Sequence, residues 1–95
     1  MSKVTVIAII TAKEGSESVV KNGLSGLVAP TLVEKGCINY DLHVDNENPR
    51  IFAFHETWES GEDLDRHLES AHIKAFQKTG ETHVENVQMH RMTAC

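Results

Sequence analysis

Two histidines in the second half of the chain, His67 and His72, carry the side chains best suited to proton transfer at neutral pH. An imidazole has an unperturbed pKa of about 6.5, so it can accept a proton and return it within one reaction. His67 shares a predicted helical face with Leu64 and Leu68 and should point into the core. His72 follows an expected helix interruption at residues 70–71. Both are candidate catalytic residues; the alternative is a structural histidine, bonded for instance to a backbone carbonyl.

A metal site is the competing interpretation of a chain with six histidines. On a single helix, residues five apart lie on different faces, whereas metal-binding histidine pairs favour a spacing of four. The two cysteines, Cys37 and Cys95, form no cluster with zinc spacing. We therefore expect no metal. The sequence also has no glycine-rich phosphate loop or dinucleotide fingerprint, so we expect no flavin or nicotinamide cofactor.

An apolar chamber for a flat substrate needs aromatic walls and a few polar groups. Tyr40 and Asn39 are candidate donors to a substrate oxygen, and Glu56 shares a strand face with two aromatic residues. The alternative is that the aromatic residues are ordinary core and that Glu56 only pairs with a cation or orients a histidine. The full set of candidate substrate-binding residues is Trp58, Tyr40, Asn39, Phe54, Phe76 and Glu56.

The elements that position these residues follow from the hydrophobic pattern. Strands are predicted over residues 3–11, 37–45, 50–58 and 82–93. Helical periods cover residues 17–34, with a bend expected at Ala29-Pro30, and residues 60–79, with Ser60 as the N-cap. Gly36 and Gly80 are predicted to end these two helices. The order βαββαβ predicts one α+β domain over residues 1–95, with a ferredoxin-like antiparallel sheet and both helices on one face.

The other face of that sheet is predicted to be apolar as well, because Ile7 and Ile9 alternate with equally apolar neighbours. Exposed apolar faces of this size are rare in monomers. We therefore predict a homodimer through the sheet face. His43 and His55, which lie opposite the Tyr40 and Trp58 faces, belong either to that interface or to the pocket.

Composition narrows the classes of partner and location. The formal net charge is -5, and the nine Lys and Arg residues are scattered, which argues against a nucleic-acid partner. No apolar run is long enough for a membrane span, and the N-terminus lacks the features of a signal peptide. We expect a cytoplasmic protein with two free thiols and no membrane partner.

Four short motifs occur in order: Val6-Ile-Ala8, Glu34-Lys-Gly-Cys-Ile-Asn-Tyr40, Phe52-Ala-Phe-His-Glu-Thr-Trp-Glu-Ser60 and His67-Leu-Glu-Ser-Ala-His72. Together they resemble the antibiotic biosynthesis monooxygenase family, and most closely its quinol-monooxygenase-like members. The resemblance implies a dimeric α+β barrel. It also implies oxidation of quinols or anthrone-type phenols by molecular oxygen, without flavin or metal.

The resemblance also determines which alternative functions must be weighed against this one. A haem-degrading branch of the family is disfavoured, because Ala8, His67 and Gln77 stand where that branch has Asn, Trp and His. The prediction is therefore a cofactor-independent monooxygenase that acts on a small aromatic substrate, a quinol or polycyclic phenol. An imidazole base would remove a proton from the substrate and make it electron-rich enough to react with molecular oxygen. Two alternatives remain: an isomerase of a small oxygenated metabolite, and a non-catalytic dimeric ligand-binding protein.

Overall fold

The computed structural model describes residues 2–95 and has the predicted order of elements, with each predicted helix divided in two. Its four strands are β1 (Val4–Ala12), β2 (Cys37–Val44), β3 (Ile51–Trp58) and β4 (Val84–Met92). They form one antiparallel sheet in the order β2-β3-β1-β4. The helices are α1 (Glu17–Ser25), α2 (Val28–Leu32), α3 (Gly61–Leu68) and α4 (Ala71–His83). The predicted ferredoxin-like α+β fold is confirmed, with a sheet that is open in the single chain.

The core lies between this sheet and the helices. Along β1 the residues Val6, Ala8, Ile10 and Ala12 are buried, while the residues between them are partly exposed. The same alternation on β3 buries Phe52, Phe54, Glu56 and Trp58. Because side chains alternate across a strand, one face of the sheet supplies nearly all the buried strand residues. We call it the helix face, and the opposite side the open face.

The first predicted helix is broken earlier than the sequence indicated. We expected a bend at Ala29-Pro30, but α1 ends at Ser25 and α2 begins at Val28. Pro30 therefore falls in the first turn of α2, where backbone N–H groups have no partner within the helix, so the missing N–H costs little. Gly36 adopts the expected left-handed backbone (φ 86), four residues beyond the end of α2.

The second predicted helix is divided at the expected position. The Ser60 hydroxyl accepts a hydrogen bond from the Asp63 N–H and begins α3; the Ser70 hydroxyl accepts one from the Ile73 N–H and begins α4. These N-caps fix two helix axes instead of one. The prediction that Gly80 ends the helix is wrong, because α4 continues through it to His83.

The open face carries Ile7 and Ile9 on β1 and Ile51 and Ala53 on β3, all only partly buried in the single chain. His43 and His55 are exposed on the same face. The pattern agrees with the sequence analysis, and the homodimer remains a prediction. Cys37 and Cys95 are free thiols, as expected. Within residues 2–95, no helix is both long and apolar enough to span a membrane.

Candidate active site

A cavity of about 310 Å³ lies between the helix face and the helices. Its polar groups are few: Tyr40 and Glu56 from the sheet, and His67 and Gln77 from α3 and α4. The remaining wall is apolar and consists of Ala8, Ile10, Leu24, Leu27, Phe54, Leu68, Ile73, Phe76, Val87 and Met89. An apolar chamber with a small number of convergent polar groups is the usual form of a small-molecule site.

His67 is held at this wall by a carboxylate. Its Nδ1 lies 2.8 Å from Glu34 Oε2, and the side chain of His67 is only 2% exposed. The same carboxylate oxygen lies 2.8 Å from Nε2 of His72. The turn before β2 supplies Glu34: its N–H bonds to Thr31 O, and its carbonyl accepts from the Cys37 N–H. One acidic residue thus joins both predicted catalytic histidines.

The helix break explains how two histidines five residues apart can meet one carboxylate. His67 lies in the last turn of α3 and His72 in the first turn of α4. Because Ser70 starts a new helix axis, the single-helix spacing rule does not apply. The premise that the two side chains diverge is wrong: their ring centroids are 6.0 Å apart.

The protonation state of His67 follows from its surroundings. Burial lowers the pKa of His67, and this outweighs the hydrogen bond and negative charge of Glu34, which act in the opposite direction. The ring is therefore neutral at pH 7. A neutral ring that binds a carboxylate through Nδ1 must carry its proton there. Nε2 is then unprotonated and keeps a lone pair that can accept a proton.

Glu56 is the second titratable group of the cavity and is 4% exposed. Burial, with the nearby charge of Glu34, raises the pKa of Glu56 from 4.5 to about 7, although the hydrogen bond from Trp58 opposes the change. In that hydrogen bond Trp58 Nε1 donates to Glu56 Oε1 at 2.9 Å. Glu56 therefore titrates nearer to neutral pH than an ordinary carboxyl and can give or take a proton there.

Tyr40 supplies a hydroxyl that stays protonated. Burial, followed by the charge of Glu56, raises the pKa of Tyr40 well above its usual range. The ring stacks on Phe54 with centroids 4.3 Å apart and meets His67 edge-on at 5.3 Å. Tyr40 is therefore a fixed hydrogen-bond donor next to the candidate base.

Two of the other predicted residues have different positions. Trp58 is completely buried and is not part of the cavity wall; it packs on His67 (centroids 4.7 Å apart) and holds Glu56. Asn39 lies on the open face, where its amide donates to the carbonyl of His55 and to Asp41. Asn39, a candidate donor to the substrate oxygen, therefore lies on the face opposite to Tyr40 and the cavity, because neighbouring strand residues point to opposite faces.

Phe76 lines the cavity as predicted, and its position depends on a glycine. A Cβ atom on Gly23 would lie 2.8 Å from Phe76 Cε1, so α1 can approach the ring only without a side chain there.

The residue that sequence reasoning missed is Glu34. It opens the motif Glu34–Tyr40, but an isolated acidic residue in a turn has no local pattern that predicts a partner 33 residues away.

Comparison with known proteins adds a family to this geometry. The family model described as antibiotic biosynthesis monooxygenase matches residues 3–79. The chain belongs to this family. A search of functionally curated proteins finds no match.

Solved structures of similar fold agree with this family assignment. A Pseudomonas aeruginosa protein (PA3566) is 33% identical with a TM-score of 0.96, over 100% of this chain and 96% of that one. A structure described as antibiotic biosynthesis monooxygenase is 29% identical with a TM-score of 0.90, over 97% of this chain and 98% of that one. A Bacteroides thetaiotaomicron protein, described as a possible oxidoreductase, is 22% identical with a TM-score of 0.89, over 98% of each chain, and supports the fold alone.

Proposed function

We propose that this chain is a cofactor-independent monooxygenase that oxidises a quinol or polycyclic phenol with molecular oxygen. The observation that supports this proposal best is the Glu34-bound His67 at the wall of the apolar cavity. Family membership and the description of a similar structure as an antibiotic biosynthesis monooxygenase point to the same class of reaction. The volume of about 310 Å³ is near the lower end of the range for ligand pockets, which favours a compact ring system.

Removal of a proton is the first step. Triplet oxygen reacts poorly with a closed-shell phenol, so the substrate must first become an electron-rich phenolate. His67 Nε2 accepts the phenolic proton, and the Glu34 carboxylate stabilises the resulting imidazolium through the Nδ1 hydrogen bond. Glu34 therefore acts as a positioning residue for the base. The Tyr40 hydroxyl is placed to donate to the phenolate oxygen.

The electrons for oxygen come from the substrate itself. The phenolate passes one electron to oxygen, and the radical pair recombines to form a carbon–oxygen bond. Loss of water then leaves a carbonyl, so a hydroquinone and one oxygen molecule give a hydroxyquinone and one water. No external reductant is needed. Glu56, which lines the cavity and has its pKa raised to about 7, would supply the proton that leaves with water.

We also propose that the enzyme is a homodimer through the open face. Ile7, Ile9 and Ile51 give this face an apolar character that a second sheet would cover. The cavity lies on the opposite face, so its residues do not depend on which side chains pair in the interface.

Oxygen consumption tests the reaction. The purified protein is mixed with a panel of hydroquinones in air, without added cofactor, and oxygen uptake is compared with autoxidation in buffer. We expect catalysed uptake with one or more compact quinols, and products whose masses show one oxygen atom gained and two hydrogen atoms lost. No rate above autoxidation for any member of the panel would reject the proposal.

Substitutions then test the base. His67→Ala removes a group whose general-base role is worth about 10² to 10⁴-fold in rate, so kcat should fall by at least about 100-fold. Glu34→Gln should lower kcat with little change in KM, because an amide can donate to Nδ1 and hold the wrong tautomer. His43→Gln, exposed on the open face, is the matched control and should keep full activity. Unchanged turnover in His67→Ala would exclude His67 as the base.

A further inference from the structure

We propose that Glu34, His67 and His72 form a binding site for one borderline divalent cation of the Zn²⁺ type, and that the bound cation switches off the base. The three donor atoms, one carboxylate oxygen and two imidazole nitrogens, all lie within 4.8 Å of one another. They come from the turn before β2, from α3 and from α4, so the packing of three elements brings them together.

The distances are close to those of a metal site. Each nitrogen is 2.8 Å from Glu34 Oε2, whereas two donors of one tetrahedral zinc ion, each about 2.1 Å from it, lie about 3.4 Å apart, so the carboxylate oxygen must move outward by about 0.6 Å. The separation that can be longer than about 3.4 Å is the one between the two nitrogens, which is at most 4.8 Å. His72 can close it by a small rotation, because its side chain is 23% exposed, whereas that of His67 is 2% exposed.

The donor chemistry selects the class of cation. Imidazole nitrogens suit Zn²⁺, Co²⁺, Ni²⁺ and Cu²⁺, whereas Mg²⁺ and Ca²⁺ prefer oxygen ligands. Three protein ligands also leave a coordination position for water. Glu34 and His72 are partly exposed (16% and 23%), so an ion can reach the site from solvent without passing through the cavity.

Binding would change the protons on both rings. In the metal-free site, Nδ1 of His67 carries the proton that bonds Glu34. A cation on Nδ1 displaces that proton, and a neutral ring must then carry its proton on Nε2. His72 would bind the cation through Nε2, and a proton on that nitrogen would be displaced as well. Nε2 of His67 then has no free lone pair towards the cavity.

The expected consequence, which rests on the proposed function, is inhibition. His67 cannot accept a phenolic proton while Nδ1 is bound to a cation. Zn²⁺ is the appropriate probe, because it has no redox chemistry of its own and adds no metal-catalysed electron transfer to the assay. Saturating Zn²⁺ should therefore reduce oxygen uptake by about as much as His67→Ala does, at least about 100-fold.

Metal binding is measured independently of activity, on untagged protein stripped with a chelator. Calorimetric titration with Zn²⁺ should show one equivalent per chain, and Co²⁺ should produce visible absorption that Zn²⁺ removes and Mg²⁺ does not. Glu34→Gln and His72→Gln should each weaken binding by about 10-fold or more, as loss of a ligand costs at least as much as loss of its supporting contacts. His43→Gln should bind as tightly as wild type.

Two readouts keep the proposal testable if a variant folds poorly. In wild type, Zn²⁺ should raise the melting temperature by mass action, and imidazole ¹⁵N signals of His67 and His72 should shift together at one equivalent. Absence of saturable Zn²⁺ binding, or undiminished binding by His72→Gln, would overturn the site. Zn²⁺ binding in a protein without any oxygen uptake would reject the proposed function and leave the site intact.

Discussion

Glu56→Gln tests the electrostatics of the cavity without removing a large side chain. The folded-state pKa of Glu56 is about 7 against 4.5 for an unperturbed carboxyl, mainly because the group is buried. The folded chain therefore binds more protons than the unfolded chain between these values, and stability must fall as pH rises through this window. Linkage applied to the two values gives a loss of about 2 to 3 kcal/mol in the free energy of unfolding between pH 5 and pH 8.

The variant should lack this loss. An amide does not titrate, and its oxygen can still accept the Trp58 Nε1 hydrogen bond. The buried NH₂ group of the glutamine adds a cost that is the same at both pH values, so the quantity to compare is the change with pH. His67 acts in the opposite direction, because burial lowers its pKa, but wild type and variant share that contribution.

Urea unfolding at pH 5 and pH 8, at one protein concentration, measures the difference. We expect the pH-dependent change in wild type to exceed that in Glu56→Gln by about 2 to 3 kcal/mol in the destabilising direction. Glu59→Gln, the same chemical change at an exposed position, is the matched control and should follow wild type. Equal pH dependence in wild type and Glu56→Gln would refute the argument that burial raises the pKa of Glu56.

Three further substitutions test the packing. Gly36→Ala should lower the free energy of unfolding by about 1 to 3 kcal/mol because the backbone is left-handed, and by more because the new Cβ would clash with Asp63. Gly15→Ala is the control, since Gly15 has the same backbone conformation but open space around its Cβ position. Equal urea midpoints for the two variants would contradict the clash. Gly23→Ala should push Phe76 into the cavity and raise KM for a quinol several-fold. Gly26→Ala, whose nearest Cβ contacts would be 3.5 Å away, is the control. An unchanged KM in Gly23→Ala would show that Phe76 does not contribute to substrate binding. Ile7→Lys should give a monomeric mass in sedimentation if the open face is the dimer interface, and an unaltered dimer mass would place the interface elsewhere.

The local pattern was sufficient for most of the architecture. Hydrophobic alternation predicted the four strands, Ser60 marked the start of α3, and the expected interruption at residues 70–71 falls where α4 begins. The errors concern backbone breakers. Pro30 is tolerated because it lies in the first turn of α2, and Gly80 inside α4 costs only about 1 kcal/mol relative to alanine, which does not end a helix by itself.

The candidate site also has parts that the sequence predicted and parts that it could not predict. Residue type and helical face were enough to select His67 and His72 as the groups able to move protons and to place Phe54, Glu56 and Phe76 towards the core. The protonation of His67 and Glu56 was decided by tertiary structure alone, because burial shifts a pKa by an amount that no local pattern contains. The role of Glu34 was also decided there: the carboxylate is 33 and 38 residues from its two histidines, and only the packing of the α2–β2 turn against α3 and α4 brings all three together.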